Sequence, residues 1–180
     1  MTVRSEVCKM NAYLIKIAQV NSESVIRSAD AVQKTIKDAQ NNTNRILNLD
    51  ESWCGIHFVM TGEYPIPRQE ALQRGISWDD DSLENVLMGG SPTQYRTKLD
   101  VARYLKPKEV AKVAEKLSNL TVKQFEEWYD PEALMEEHIP PEIWDEGSEP
   151  RGWLISYFMK LVEFYKATTA SGEGLLIYID

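Results

Sequence analysis

Hydrophobic positions at both ends of the chain follow the patterns of β-strands. Residues 12–20 read AYLIKIAQV, a short run rich in β-branched side chains with apolar positions in alternation, which predicts a strand. Residues 175–179 read LLIYI and are apolar at every position, which is typical of a strand covered on both faces. We therefore expect both ends of the chain to enter one sheet.

Between these strands, apolar positions recur with the period of amphipathic helices. One predicted helix follows cap residues at 21–24 and reaches about Ala39, one runs from Pro107 to Leu117, one covers 153–170, and short helices start after Thr121 and Asp130. The pattern predicts an α+β fold, in which a small mixed sheet that includes the N- and C-terminal strands is packed by several helices.

A further helix is predicted over residues 50–61, with Asp50 at its start and Gly62 as a left-handed end. Gly55 lies in its interior, where glycine costs about 1 kcal/mol relative to alanine. We expect a neighbouring element to pack closely on Gly55 and to offset that cost. Two prolines in the stretch 62–81 predict that no regular helix forms there.

The length and composition are those of one globular domain. The chain has 180 residues, of which 43% are hydrophobic and 27% charged, enough to bury a core without disulfides or metal. We expect one domain over residues 10–180 and a leader over 1–9 that is a candidate for disorder. No apolar run reaches membrane-spanning length, and the N-terminus has no signal-peptide pattern. We therefore expect a cytoplasmic protein that does not bind membranes.

The net charge argues against some classes of binding partner, and the spacing of cysteine and histidine argues against a metal site. The formal net charge of −8 disfavours nucleic acid as a partner, because phosphate binding needs a basic surface. Two cysteines, Cys8 and Cys54, and two histidines are too widely spaced for a zinc pattern, so we predict neither a metal site nor a cofactor. In the expected compartment a reduced state is favoured over a disulfide.

Residues 126–149, called the acidic segment below, concentrate negative charge. They contain ten carboxylates and no Lys or Arg, and the tryptophans Trp128 and Trp144 lie among them. The segment carries a charge of about −10 and the whole chain −8, so the residues outside the segment together are slightly positive. The segment is either a solvated connector or a surface that attracts a basic partner.

Several motifs, in order, resemble the YfbM-like family of bacterial proteins. The first is LNLDESWCGIHFVMTG, carried by Leu49, Asp50, Trp53, Ile56, His57, Phe58, Thr61 and Gly62. The second lies in ARYLKPKEV and the third in YDPEALMEEHIPPEIWDE, carried by Arg103, Tyr104, Leu105, Pro107, Glu109, Val110, Asp130, Pro131, Ile139, Pro141, Ile143, Trp144, Asp145 and Glu146. The resemblance implies a small cytoplasmic α+β domain and no reaction, because the family's function is itself unknown.

The leading functional hypothesis is a non-enzymatic interaction module, for example of the inhibitor or immunity type. It would bind a basic protein through a surface containing Trp144, Asp145, Glu146 and Glu149.

The alternative is a small hydrolase or transferase. His57 would be its general base, and Asp50, Arg103 and Tyr104 would be its other candidates. The competing interpretation of His57 is a structural side chain that holds its helix on the core. A structural subunit of a homo-oligomer is a third hypothesis, and the sequence predicts no oligomeric state.

Overall fold

The computed structural model describes residues 10–79 and 82–180. The strands in these ranges are β1 (Ala12–Ile17), β2 (Ile46–Asn48), β3 (Ser91–Arg96), β4 (Val101–Leu105) and β5 (Gly174–Ile179). The helices are α1 (Ser22–Arg27), α2 (Ala29–Gln40), α3 (Ser52–Thr61), α4 (Arg68–Gln73), α5 (Asn85–Met88), α6 (Pro107–Asn119), α7 (Val122–Trp128), α8 (Pro131–Glu136) and α9 (Glu149–Ala170). A 3₁₀ turn, Gln19–Asn21, follows β1.

The strands form one sheet in the order β2-β1-β5-β4-β3. β1 and β5 pair along their whole length, with Ala12 opposite Ile179, so the first and last strands are neighbours in the sheet. The predicted α+β class and the use of both terminal strands are confirmed. All four pairs of neighbouring strands are antiparallel, so the sheet is antiparallel and not mixed as predicted. Strands β3 and β4 form a hairpin.

Each face of the sheet is covered by its own hydrophobic cluster. Leu175 and Ile177 of β5 belong to a large cluster with residues of α3, α6 and α9, whereas Leu176 and Tyr178 belong to a smaller cluster with α1 and α2. Every residue of β5 is buried, as its uninterrupted apolar pattern predicted.

In the first two thirds of the chain, the structure has one helix interruption and several helices and strands that the sequence did not predict. The helix predicted to reach Ala39 is two helices, because Ser28 is extended and its Oγ accepts a hydrogen bond from the N–H of Ala31 to start α2. Helix α4 forms within the stretch predicted to be irregular, because Pro67 precedes it instead of lying inside it. The β3–β4 hairpin and β2 were not predicted at all.

The predicted starts of α7 and α8 are confirmed by their caps. The Thr121 hydroxyl accepts from the N–H of Gln124, and the Gln124 side chain accepts from the N–H of Thr121, which is a reciprocal capping box. The carboxylate of Asp130 accepts from the N–H groups of Glu132 and Ala133.

The close packing expected at Gly55 is present, and the neighbour is Trp144. A Cβ at Gly55 would lie 2.5 Å from Cη2 of Trp144, which is too short for a real contact, and 3.0 Å from Cδ1 of Leu154, which is tight. Trp144 is 1% exposed. Glycine therefore lets the backbone of α3 meet the indole ring directly.

Two expectations concern the N-terminal leader. Residues 1–9 and Cys8 lie outside the described residues. Cys54 is fully buried in α3. The predicted reduced state of the two cysteines involves Cys8 and so concerns a residue outside the described ranges. None of the helices in the described ranges is both long and apolar enough for a membrane crossing.

We predict that Gly55→Ala lowers the free energy of unfolding by about 1–3 kcal/mol, because the added methyl group overpacks the contact with Trp144. Gly152→Ala is the matched control. Gly152 also lies in a helix, but a Cβ there would meet nothing within 4 Å, so this change should raise stability by about 0.5–1 kcal/mol. Urea unfolding of both variants measures the difference, and stabilisation by Gly55→Ala would contradict the packing account.

Candidate functional site

The acidic segment is folded around the buried ring of Trp144. The Trp144 Nε1–H donates to the carbonyl oxygen of Ile139, and the Tyr129 hydroxyl donates to the carbonyl oxygen of Trp144 over 3.0 Å. The Tyr129 and Trp153 rings lie 6.4 and 6.1 Å from the indole, centroid to centroid. These contacts join the end of α7, the loop after α8 and the start of α9.

All the carboxylate residues of the acidic segment are exposed. They are Glu126, Glu127, Asp130, Glu132, Glu136, Glu137, Glu142, Asp145, Glu146 and Glu149. The segment therefore turns its charges outward, and apart from Trp128 its apolar side chains are buried or partly buried.

Few basic side chains neutralise these charges within residues 10–79 and 82–180. Lys123 Nζ lies 3.6 Å from Glu127 Oε1, and His138 Nδ1 lies 3.3 Å from Glu142 Oε2, both at exposed positions where ion pairs are weak. Burial raises the pKa of the Tyr129 hydroxyl, and the nearby charges of Arg151 and Asp145 act on it in opposite directions.

The four predicted binding residues are placed differently. Asp145, Glu146 and Glu149 are exposed, as a recognition surface requires. Trp144 is a core residue, so its predicted role as a binding residue is corrected to a structural one that positions the neighbouring carboxylates. The exposed aromatic side chain of the segment is Trp128, which is 47% exposed. The helical pattern does not identify it, because Trp128 lies three residues after the buried Phe125, a spacing that places both on one face of the helix.

His57 is enclosed in the core. It is 1% exposed, its Nδ1 has no hydrogen-bond partner among the described residues, and burial lowers the pKa of the imidazole from 6.5 to about 4. The ring is therefore neutral near pH 7 and is not presented to a substrate. The structural interpretation of His57, a side chain that holds its helix on the core, fits this buried position.

The other candidate catalytic residues are not brought together with His57. Asp50 is exposed, with a left-handed backbone at φ 53°. Tyr104 is buried in the cluster with α1 and α2, on the opposite face of the sheet from α3. Arg103 donates hydrogen bonds to the carbonyl oxygens of Gly89 and Gly90. The structure therefore does not assemble these four residues into one site.

No group of three or more His, Cys, Asp or Glu side chains in the described part of the chain is arranged to hold a metal ion.

We predict that His57 makes stability depend on pH. Because the folded-state pKa is lowered, the unfolded chain binds more protons between about pH 4 and pH 6.5. The stability contributed by neutral His57 is present above pH 6.5 and is lost as the pH falls towards 4, by about 3 kcal/mol. Urea unfolding across this range should show a smaller loss for His57→Gln than for the unmodified protein. His138→Gln, at an exposed histidine, is the control, and equal losses for all three proteins would contradict the assignment.

The comparisons with known proteins agree with this fold. No curated protein matches the sequence. A solved structure of YfbM from Escherichia coli, described as a protein of unknown function, is similar with a TM-score of 0.65 and 17% identity, covering 95% of this chain and 100% of that one. At this identity the likeness shows the fold alone. The family described as a domain of unknown function, DUF1877, matches residues 9–178. The resemblance to YfbM-like proteins is therefore confirmed, and the chain belongs to the DUF1877 family.

Proposed function

We propose that this protein is a non-enzymatic interaction module of the cytoplasm, which docks a basic protein through the acidic segment. An inhibitor or immunity protein that covers the cationic cleft of its target is one form of such a module. The observation that carries the proposal is the outward display of every carboxylate residue of the segment.

Electrostatics gives this surface a role in association. A cluster of exposed charges of one sign raises the rate at which a partner of the opposite sign is encountered, and it disfavours partners of like charge. The segment has no Lys or Arg of its own, so a basic partner would supply the compensating charges.

Trp128 and Trp144 support the proposal in different ways. Trp128 offers a half-exposed indole beside Glu126 and Glu127, and tryptophan is enriched among residues that dominate binding energy. Trp144 ties the loop carrying Asp145 to the core, which reduces the ordering cost of binding. Enclosure of His57 and dispersal of its candidate partners do not favour the enzymatic alternative.

We predict that the triple variant Asp145→Lys, Glu146→Lys, Glu149→Lys no longer captures the partner that the unmodified protein retains from cells. The attraction depends on unscreened charge, so capture should also weaken as salt is raised. Affinity capture across a salt series, with quantitative mass spectrometry, measures both effects.

The matched control is the triple variant Glu23→Lys, Asp30→Lys, Asp38→Lys. It makes the same change of charge at exposed positions on α1 and α2, outside the acidic segment. The control should retain the partner. A partner that stays bound to the first variant, or is lost equally from both, would refute a specific acidic surface.

A further inference from the structure

An open groove of about 450 Å³ contains the exposed ring of Trp128, the aromatic residue at the start of the acidic segment. It is called the Trp128 groove below, and its lining includes Met60, Asp79, Glu84, Lys116, Leu120 and Trp128. The half-exposed indole therefore borders a groove that can take a side chain of a docked partner.

The Trp128 ring is carried by a helix that is fixed on the core. Trp128 is the last residue of α7, and Phe125, one turn before it, is fully buried. The Phe125 ring stacks on that of Phe158 in α9, with 4.1 Å between the ring centroids. Because α7 is anchored in this way, little ordering of the helix is needed when a ligand meets Trp128.

Two carboxylate residues also line the Trp128 groove, on a stretch of backbone that is held by hydrogen bonds. The Asp79 carbonyl oxygen accepts from the Asn85 side chain over 2.7 Å and from the Ser82 N–H over 3.0 Å. The Ser82 hydroxyl donates to the Glu84 carboxylate. Within residues 10–79 and 82–180, neither Asp79 nor Glu84 forms an ion pair. Their negative charges are therefore available to a cationic ligand.

The lining of the groove combines negative charge with apolar surface. Asp79 and Glu84 bring two negative charges against the positive charge of Lys116, the basic residue of the lining in the described part of the chain. Met60 and Leu120 add apolar side chains. A long side chain with an apolar stem and a cationic end matches both parts of this lining.

We propose that the Trp128 groove binds an arginine side chain of the basic partner. The proposal rests on the docking function proposed above and names the residue that the partner contributes. A guanidinium stacks on the face of an indole and offers paired N–H donors to a carboxylate, whereas the ammonium of lysine is a compact point charge. Arginine and tryptophan are also enriched among the residues that dominate binding energy, and such residues tend to pair across an interface.

An arginine–tryptophan pair of this kind is present within the chain itself. The guanidinium carbon of Arg68 lies 5.4 Å from the centre of the Trp78 ring, and Arg68 Nη1 donates to Asn85 Oδ1 over 3.0 Å. We expect the same arrangement for the partner's arginine, with its guanidinium stacked on Trp128 and hydrogen-bonded to the oxygens of Asp79 or Glu84.

Two peptides of equal charge, tetra-arginine and tetra-lysine with blocked ends, test the proposal by calorimetric titration at low and constant ionic strength. The negative potential of the acidic segment attracts both peptides, so the part of the arginine preference that disappears with the Trp128 ring reports on the groove. The unmodified protein should bind tetra-arginine about three- to thirtyfold more tightly than tetra-lysine. Trp128→Leu should remove most of this preference.

Val122→Ala is the matched control, because Val122 is 37% exposed on the same helix and does not line the Trp128 groove. This variant should keep the arginine preference of the unmodified protein. Should Trp128→Leu fail to fold, Trp128→Phe keeps an aromatic ring that attracts cations less strongly, and it should lower the preference by a smaller amount.

The possible results separate the arginine groove from the docking function. No binding of tetra-arginine by the unmodified protein, or an equal arginine preference in Trp128→Leu and Val122→Ala, would overturn the groove proposal. The triple variant Asp145→Lys, Glu146→Lys, Glu149→Lys should bind both peptides more weakly and keep the arginine preference. If the triple variant instead binds both peptides as the unmodified protein does, and the preference still depends on Trp128, the acidic surface is refuted and the arginine groove is supported.

Discussion

The contact between the Trp144 indole and the backbone of α3 at Gly55 fixes how the last third of the chain lies on the core. A tryptophan buries a large apolar area, and here its polar N–H is also satisfied, by the Ile139 carbonyl oxygen. Around this ring the chain turns from α8 towards α9. Without it, a segment rich in like charges would have little apolar surface with which to hold a fixed path.

Around the same contact, the apolar side chains of the segment serve folding and its charged side chains remain available for binding. Three of its apolar side chains, Leu134, Ile139 and Trp144, are buried, while its charged groups stay in water, where their mutual repulsion is screened. Recognition by charge is therefore compatible with folding.

Local signals made part of this structure predictable. The capping box at Thr121 and the apolar run of β5 are read from neighbours in sequence, and both appear as expected. The glycine inside α3 predicted a close neighbour, but not that this neighbour would be Trp144. The β3–β4 hairpin was missed because its strands are stabilised mainly by pairing within the sheet, with little alternation of their own. The burial of His57 and Trp144 was not predictable in the same way. An amphipathic pattern gives the face of a helix, but not which distant element will cover it.

Amide hydrogen exchange of a Trp144→Leu variant tests the central claim most directly, since the claim is that this ring holds the acidic segment in place. The account predicts faster exchange at the amides of residues 130–149, while the amides of β5 stay protected. Exchange in 130–149 that is unchanged from the unmodified protein would contradict it, because the path of the segment would then be held by something other than Trp144.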